Sequence, residues 1–165
     1  MSASVTTTVL FLMVWFLSAA VGAGEPKVGS AAPEVKVAEW LNSQPLALAQ
    51  LTKKIVVVEF WATWCPPCRK SIPHLIELYE KYKDKGVVIM GLTDEPMSKV
   101  KGFATEMKMT YAVGTGSKTF QEYGVEGIPH AFVVAPGGKI AWSGHPAQDL
   151  DKAIEDALKN TPPEK

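Results

Sequence analysis

Cysteine is nearly absent from this chain: of 165 residues only Cys65 and Cys68 carry a thiol. That excludes the multi-disulfide framework of small secreted folds. It also argues against a structural zinc site, which wants four ligands and would need a second pair. Histidine is scarce too, and His74, His130 and His145 are scattered, with none spaced as a ligand partner for the cysteines. Charge of one sign is not in excess, since 17 Lys and Arg balance 17 Asp and Glu. Without a basic stripe, nucleic acid is excluded as the expected partner. Lys81, Lys83 and Lys85 alternate with Tyr82 and Asp84 and read as a solvated helix end. No internal repeat is visible. The apolar run Val9 to Val21 is shorter than the roughly 20 residues of a spanning helix.

What is present concentrates around the two thiols. Trp64-Cys65-Pro66-Pro67-Cys68 is a Cys-x-x-Cys pair, and such a pair beside a strand-to-helix pattern is a signature of thioredoxin-like redox chemistry. Ile55 to Trp61 is apolar at nearly every position, which predicts a strand buried on both faces with helices on both sides of the sheet. Ile72, Leu75, Ile76, Tyr79 and Tyr82 recur at three- and four-residue steps, the spacing of a helix with one apolar face. Pro66 and Pro67 suit its first turn, where a missing amide proton costs nothing. Cys65 then faces the positive end of the helix and its unpaired amides, which favour thiolate over thiol, and Arg69 is placed to add to this. Cys68, one turn on, is expected to be more buried. The pair is read as a redox couple in which Cys65 attacks and Cys68 resolves. Competing readings are a purely structural disulfide, a zinc site, Cu(I) transfer by soft thiolates, a thiol peroxidase, and a docking module that captures a thiol partner without turnover. Met90, Met97, Met107 and Met109 are the thioether candidates for a copper-binding version, although methionine is an ordinary core filler.

Glu59 interrupts Val56-Val57-Val58 and Phe60-Trp61, where an unpaired carboxylate is costly. Burial is expected to raise its pKa and suit it to accept the proton of Cys68. The bland alternative is a hydrated strand end, or a pair with Lys53 or Lys54. Farther on, Pro129 precedes the strand pattern Ala131 to Val134 and marks an edge or a turn.

Glu59-Phe60-Trp61-Ala62-Thr63-Trp64-Cys65-Pro66-Pro67-Cys68-Arg69, Pro73, the Tyr123 to Val134 segment and Gly144 together resemble the thioredoxin superfamily, and within it the TlpA/ResA-like extracytoplasmic branch. The resemblance covers roughly Val28 to Leu158. It implies an α/β thioredoxin fold: a mixed central sheet flanked by helices, with an N-terminal β extension and a helix and strand inserted before the cis-proline loop. It implies that Pro129 is cis, that Ile128 offers backbone to a substrate peptide, and that Trp64, Pro66 and Pro67 belong to the same contact surface. It implies catalytic roles for Cys65, Cys68 and the buried acid Glu59, with no metal and no cofactor beyond the redox-active Cys65–Cys68 disulfide. His130 departs from the small hydroxyl residue usual after the cis-proline, and stands between tuning a thiolate and being a plain surface histidine. The expected activity is extracytoplasmic thiol–disulfide exchange in the reductase direction, on disulfide-containing proteins, including the haem-binding cysteines of apocytochrome c. Electrons are expected from a membrane-embedded thiol donor.

Along the chain, residues 1–24 read as a signal peptide or membrane anchor, although Met1 to Thr8 lacks Lys and Arg. Residues 25–32 read as a linker, 33–160 as the thioredoxin-like domain and 161–165 as a disordered tail. Expected elements are an N-terminal β element in Pro33 to Leu51, with Val35, Val37 and Leu46 to Leu48 covering the sheet edge. A strand over Gly86 to Thr93, a helix over Met97 to Met107 and an extended piece over Thr110 to Val113 follow. Gly137-Gly138 marks a hairpin before the strand Lys139 to Trp142, with a last helix over Asp149 to Leu158. Asp94-Glu95-Pro96 reads as an ordinary capping cluster for the Met97 helix.

Overall fold

The computed structural model describes residues 24–161, so the expectations for a leader and a frayed tail fall essentially outside it. Six strands form one mixed sheet: β1 (Glu39–Leu41), β2 (Ile55–Phe60), β3 (Val87–Leu92), β4 (Ala112–Thr115), β5 (His130–Ala135) and β6 (Lys139–Gly144). Their spatial order is β1-β4-β3-β2-β5-β6. The helices are α1 (Pro66–Tyr82), α2 (Met97–Glu106) and α3 (Leu150–Lys159). β2 runs parallel to β3 on one side and antiparallel to β5 on the other, which places the β2–α1 turn at the middle of one sheet end.

Every residue of β2 is buried, as a strand covered on both faces requires. The covers differ. Val57 and Trp61 point into a core with Ile72 and Leu75 of α1, Val100 and Ala104 of α2 and Ile154 of α3. Val56, Val58 and Phe60 point the other way, into a second core closed by Val35, Leu48 and Tyr123. All three α-helices of the described residues thus pack on one face. Irregular segments cover the other, correcting the expectation of helices on both sides. An aromatic cluster fills that second core, with Phe60 4.8 Å from Phe120 and 5.2 Å from Tyr123 between ring centres.

Element boundaries shift where side chains take over backbone groups. The strand expected over Thr110 to Val113 begins instead at Ala112, because Asn42 Nδ2 donates to the carbonyls of Met109 (2.7 Å) and Tyr111 (3.2 Å). The N-terminal β element is Glu39–Leu41, antiparallel to β4. Leu46 to Leu48 is no strand: Leu48–Gln50 is a 3-10 turn, fixed by Glu34 accepting the N–H groups of Leu48 and Ala49. Residues 29–32, read as linker, lie along the edge strand, with Gly29 donating to Ile140 and Ala31 bridged to Lys139.

Candidate active site

α1 starts where the sequence puts it. Pro66 and Pro67 occupy its first positions and Cys65 is the N-cap. Cys68, Ile72, Leu75, Leu78 and Tyr82 form the buried stripe that docks the helix on the sheet. Docking carries the cysteines into the core: Cys65 is 2% exposed and Cys68 fully buried. They are joined as a disulfide, with Cα atoms 5.3 Å apart. Trp64, by contrast, is 68% exposed, and Pro66 and Pro67 are exposed beside it.

Cys65 Sγ accepts the Cys68 N–H at 3.2 Å and lies 3.7 Å from the Ile128 carbonyl. The Ile128–Pro129 peptide bond is cis, so the loop the resemblance pointed to does face the sulfur. The expectation of several free amides at Cys65 needs correction. Two of the first helical residues are prolines without N–H, which leaves the Cys68 amide as the donor to the sulfur. Arg69 does not complete the site either, because its guanidinium rests 5.0 Å above the Phe103 ring.

Glu59 is fully buried, and neither carboxylate oxygen has a hydrogen-bond partner among the described residues. It pairs with neither Lys53 nor Lys54. Burial alone lifts its carboxyl from an ordinary 4.5 to about 8. By strand alternation it shares the face of Val57 and Trp61, the face whose core includes Cys65 and Cys68. His130 stands on the opposite face, opposite Phe60 across the ladder. Its Nε2 is 2.8 Å from Ser143 Oγ and 3.4 Å from Glu25. Those two contacts hold it on the face away from Glu59.

Sequence reasoning missed Glu95. It does not cap α2, whose N-cap is Pro96 with no side-chain bond. Its carboxylate, 6% exposed, instead accepts the Thr63 N–H at 2.6 Å and the Thr63 hydroxyl at 2.8 Å. Glu95 therefore clamps the turn that carries Trp64 and Cys65. The available signal was its position after a parallel strand, since the carboxyl ends of such strands are where α/β sheets place their sites.

A shallow cleft of about 220 Å³ lies between Trp64 and the cis-proline loop, lined by Trp61, Phe120, Val125, Gly127 and Ile128. A larger hollow of about 580 Å³ lies between β6 and α3 without either cysteine in its walls. Neither cysteine lines the cleft, but two of its walls are neighbours of Cys65: Trp64 precedes it in the chain, and the Ile128 carbonyl lies 3.7 Å from its sulfur.

Comparison with known proteins agrees with this geometry. The family model described as the AhpC/TSA family matches residues 28–143. The chain is 38% identical over 117 residues to the thiol-disulfide oxidoreductase ResA of Bacillus anthracis, covering 69% of this chain and 67% of the relative. It is 34% identical over 139 residues to the ResA of Bacillus thuringiensis subsp. konkukian, covering 82% and 80%. Among solved structures, the thioredoxin domain of a thiol-disulfide oxidoreductase from Bacteroides vulgatus superposes with a TM-score of 0.72 at 30% identity, covering 80% of this chain and 98% of that one. The protein belongs to the AhpC/TSA family, and it is a thiol–disulfide oxidoreductase of thioredoxin-like fold.

Proposed function

We propose that the protein reduces disulfides in exported proteins, with Cys65 as nucleophile, Cys68 as resolving thiol and Glu59 as the group that takes the Cys68 proton. The observation that carries this reading is the Cys65–Cys68 disulfide at the N-terminus of α1, set against the Ile128 carbonyl with a buried, unpaired carboxylate on the same face of the sheet.

In the reduced form the Cys65 thiolate attacks one sulfur of a substrate disulfide, and the other substrate sulfur leaves as a thiolate. The Cys68 thiol gives its proton to Glu59 and attacks Cys65 Sγ. The second substrate thiolate is released, and the Cys65–Cys68 disulfide forms. Two electrons have passed to the substrate. The disulfide seen here is the end of that cycle, and a thiol donor must return two electrons to restart it. Trp64, Pro66, Pro67, Ile128 and Pro129 would hold the substrate peptide along the cleft, with the Ile128 backbone as the polar contact.

The sulfur's surroundings support the reductase direction. A thiolate at Cys65 has one amide donor and almost no water, so reduction gains little from charge stabilisation. The neutral disulfide is favoured, which suits a reductant. A peroxidase would bring a guanidinium to the attacking sulfur, whereas Arg69 stacks on Phe103. Export rests on the apolar Val9 to Val21 segment ahead of the domain; no helix among the described residues is long and apolar enough to cross a membrane. The TlpA/ResA-like resemblance supports the haem-binding cysteines of apocytochrome c as a substrate and a membrane-embedded thiol protein as the donor.

Single-cysteine variants test the assignment. With a disulfide-bonded Cys-x-x-Cys-His peptide, Cys68→Ser should accumulate a mixed disulfide through Cys65, and Cys65→Ser should trap nothing. Turnover retained by Cys65→Ser and lost by Cys68→Ser would reverse the roles.

A further inference from the structure

Glu59 meets two polar side chains that the exchange scheme does not use at one point inside the core. The Glu59 carboxylate, the Trp61 indole N–H and the Tyr111 hydroxyl are all buried, and none of their polar atoms has a hydrogen-bond partner among the described residues. The carboxylate, the indole N–H and the Tyr111 ring, by the carbon next to the one that bears its hydroxyl, converge over Gly91, which lies opposite Glu59 on β3. A methyl group at Gly91 would stand 3.0 Å from Trp61 Nε1, 3.1 Å from Tyr111 Cε2 and 3.2 Å from Glu59 Oε2. Glycine therefore keeps open a small polar space that any side chain would fill.

Leaving two donors and a carboxylate unpaired in a dry core is costly. A space with several polar walls is where buried water is found, since such water typically makes about three hydrogen bonds. We propose that the space over Gly91 binds water, and that Tyr111 is a positioning residue which, with Trp61 Nε1–H, holds this water and the ionised Glu59 carboxylate by hydrogen bonds. The inference rests on the reading of Glu59 as proton acceptor and supplies what that reading lacks, a means of stabilising the charged form.

The surroundings supply no competing charge. β3 and β5 present Gly91 and Ala131 opposite Glu59. α1 contributes the two cysteines to this core, α2 contributes Val100 and Ala104, and α3 contributes Leu150 and Ile154. The Arg69 guanidinium is engaged by Phe103. Tyr111 is the remaining titratable neighbour. Burial and then the Glu59 charge hold its hydroxyl well above its usual pKa, so it stays a neutral donor. Asn42 fixes its backbone through the Tyr111 carbonyl.

The test uses the oxidised full-length chain, so that no thiol titrates. Carbon-13 labelling of glutamate follows the Glu59 carboxyl by NMR, and water-to-indole cross-relaxation at Trp61 Hε1 reports bound water. The wild type should show a water signal at that proton. Tyr111→Phe should raise the Glu59 pKa by about one unit, the size expected for losing a hydrogen bond to a charged group. Gly91→Ala should remove the water signal and shift Glu59 the same way; if it does not fold, Tyr111→Phe carries the test. An absent water signal in the wild type overturns the proposal, as does a Glu59 titration that Tyr111→Phe leaves unmoved. Failure of the proton-acceptor reading is recognised separately: Glu59→Gln would then leave the pH profile of exchange unchanged while the water signal and the carboxyl shift stand.

Discussion

Glu59 couples the chemistry of the site to the stability of the fold. Burial pushes its carboxyl up to about 8 in the folded protein, and the hydrogen bonds proposed above bring it part of the way back, whereas in the unfolded chain it ionises near the ordinary 4.5. Between those values the folded state binds the extra proton, so stability falls as pH rises through the window and levels off above it. Urea unfolding of the oxidised protein should show this decline. Glu59→Gln should abolish it and gain up to roughly 5 kcal/mol above pH 8; parallel profiles for wild type and variant would contradict the burial account. Most of this residue was legible in the sequence, because an acid inside Val-Val-Val-Glu-Phe-Trp has few places to go but the core. Its company was not. Tyr111 lies 52 positions away by numbering, and only the β3–β4 pairing with Gly91 and Val113 in register brings the aromatic over Glu59. His130 shows the reverse: proximity in sequence to Pro129 suggested a role, and strand alternation turned it to the other face.

At the level of elements, the site is a junction of two turns at the carboxyl ends of β2 and β3. The β2–α1 turn carries Thr63, Trp64 and Cys65, and the β3–α2 turn carries Glu95, whose carboxylate takes both polar groups of Thr63. Lys99 stands 3.8 Å from the same carboxylate and is largely exposed, so it contributes little. Removing Glu95 leaves a partly buried amide N–H without its partner, at a cost of about 1 kcal/mol. Glu95→Ala, Thr63→Val and the double variant should therefore show coupling of about 1 kcal/mol or more in a double-mutant cycle read by urea unfolding. Additive effects would mean that the clamp does not exist. The helices and inner strands were readable from periodicity, since α1 and α3 bury stripes at helical spacing. The clamp was not: an acid before a helix pattern reads as a cap, and Pro96 takes that position only once the backbone is in place.

For the whole molecule, one sheet serves two covers with different tasks. The α-helical face holds the disulfide, Glu59 and the hydrogen-bonding groups around Gly91. The other face is an aromatic core closed by the N-terminal segment and the loop before Pro129, tied by the Tyr123 hydroxyl donating to the Pro33 carbonyl at 2.8 Å. The cis-proline loop spans both, because Ile128 packs against each core. The cleft beside Trp64 is thereby built on packing on either side, and the cysteines are buried. On the proposed reading, that burial favours the reductase direction. Two prolines strip amide donors from the helix start, and burial removes water, so a thiolate at Cys65 is poorly stabilised and the disulfide is the comfortable state. The measurement that tests this most directly is the reduction potential of the Cys65–Cys68 couple, by equilibration with dithiothreitol and read through tryptophan fluorescence. A value near or below about −230 mV, at the thioredoxin end of the scale, is the predicted result; one near −120 mV, or no reversible couple at all, would contradict the reductase.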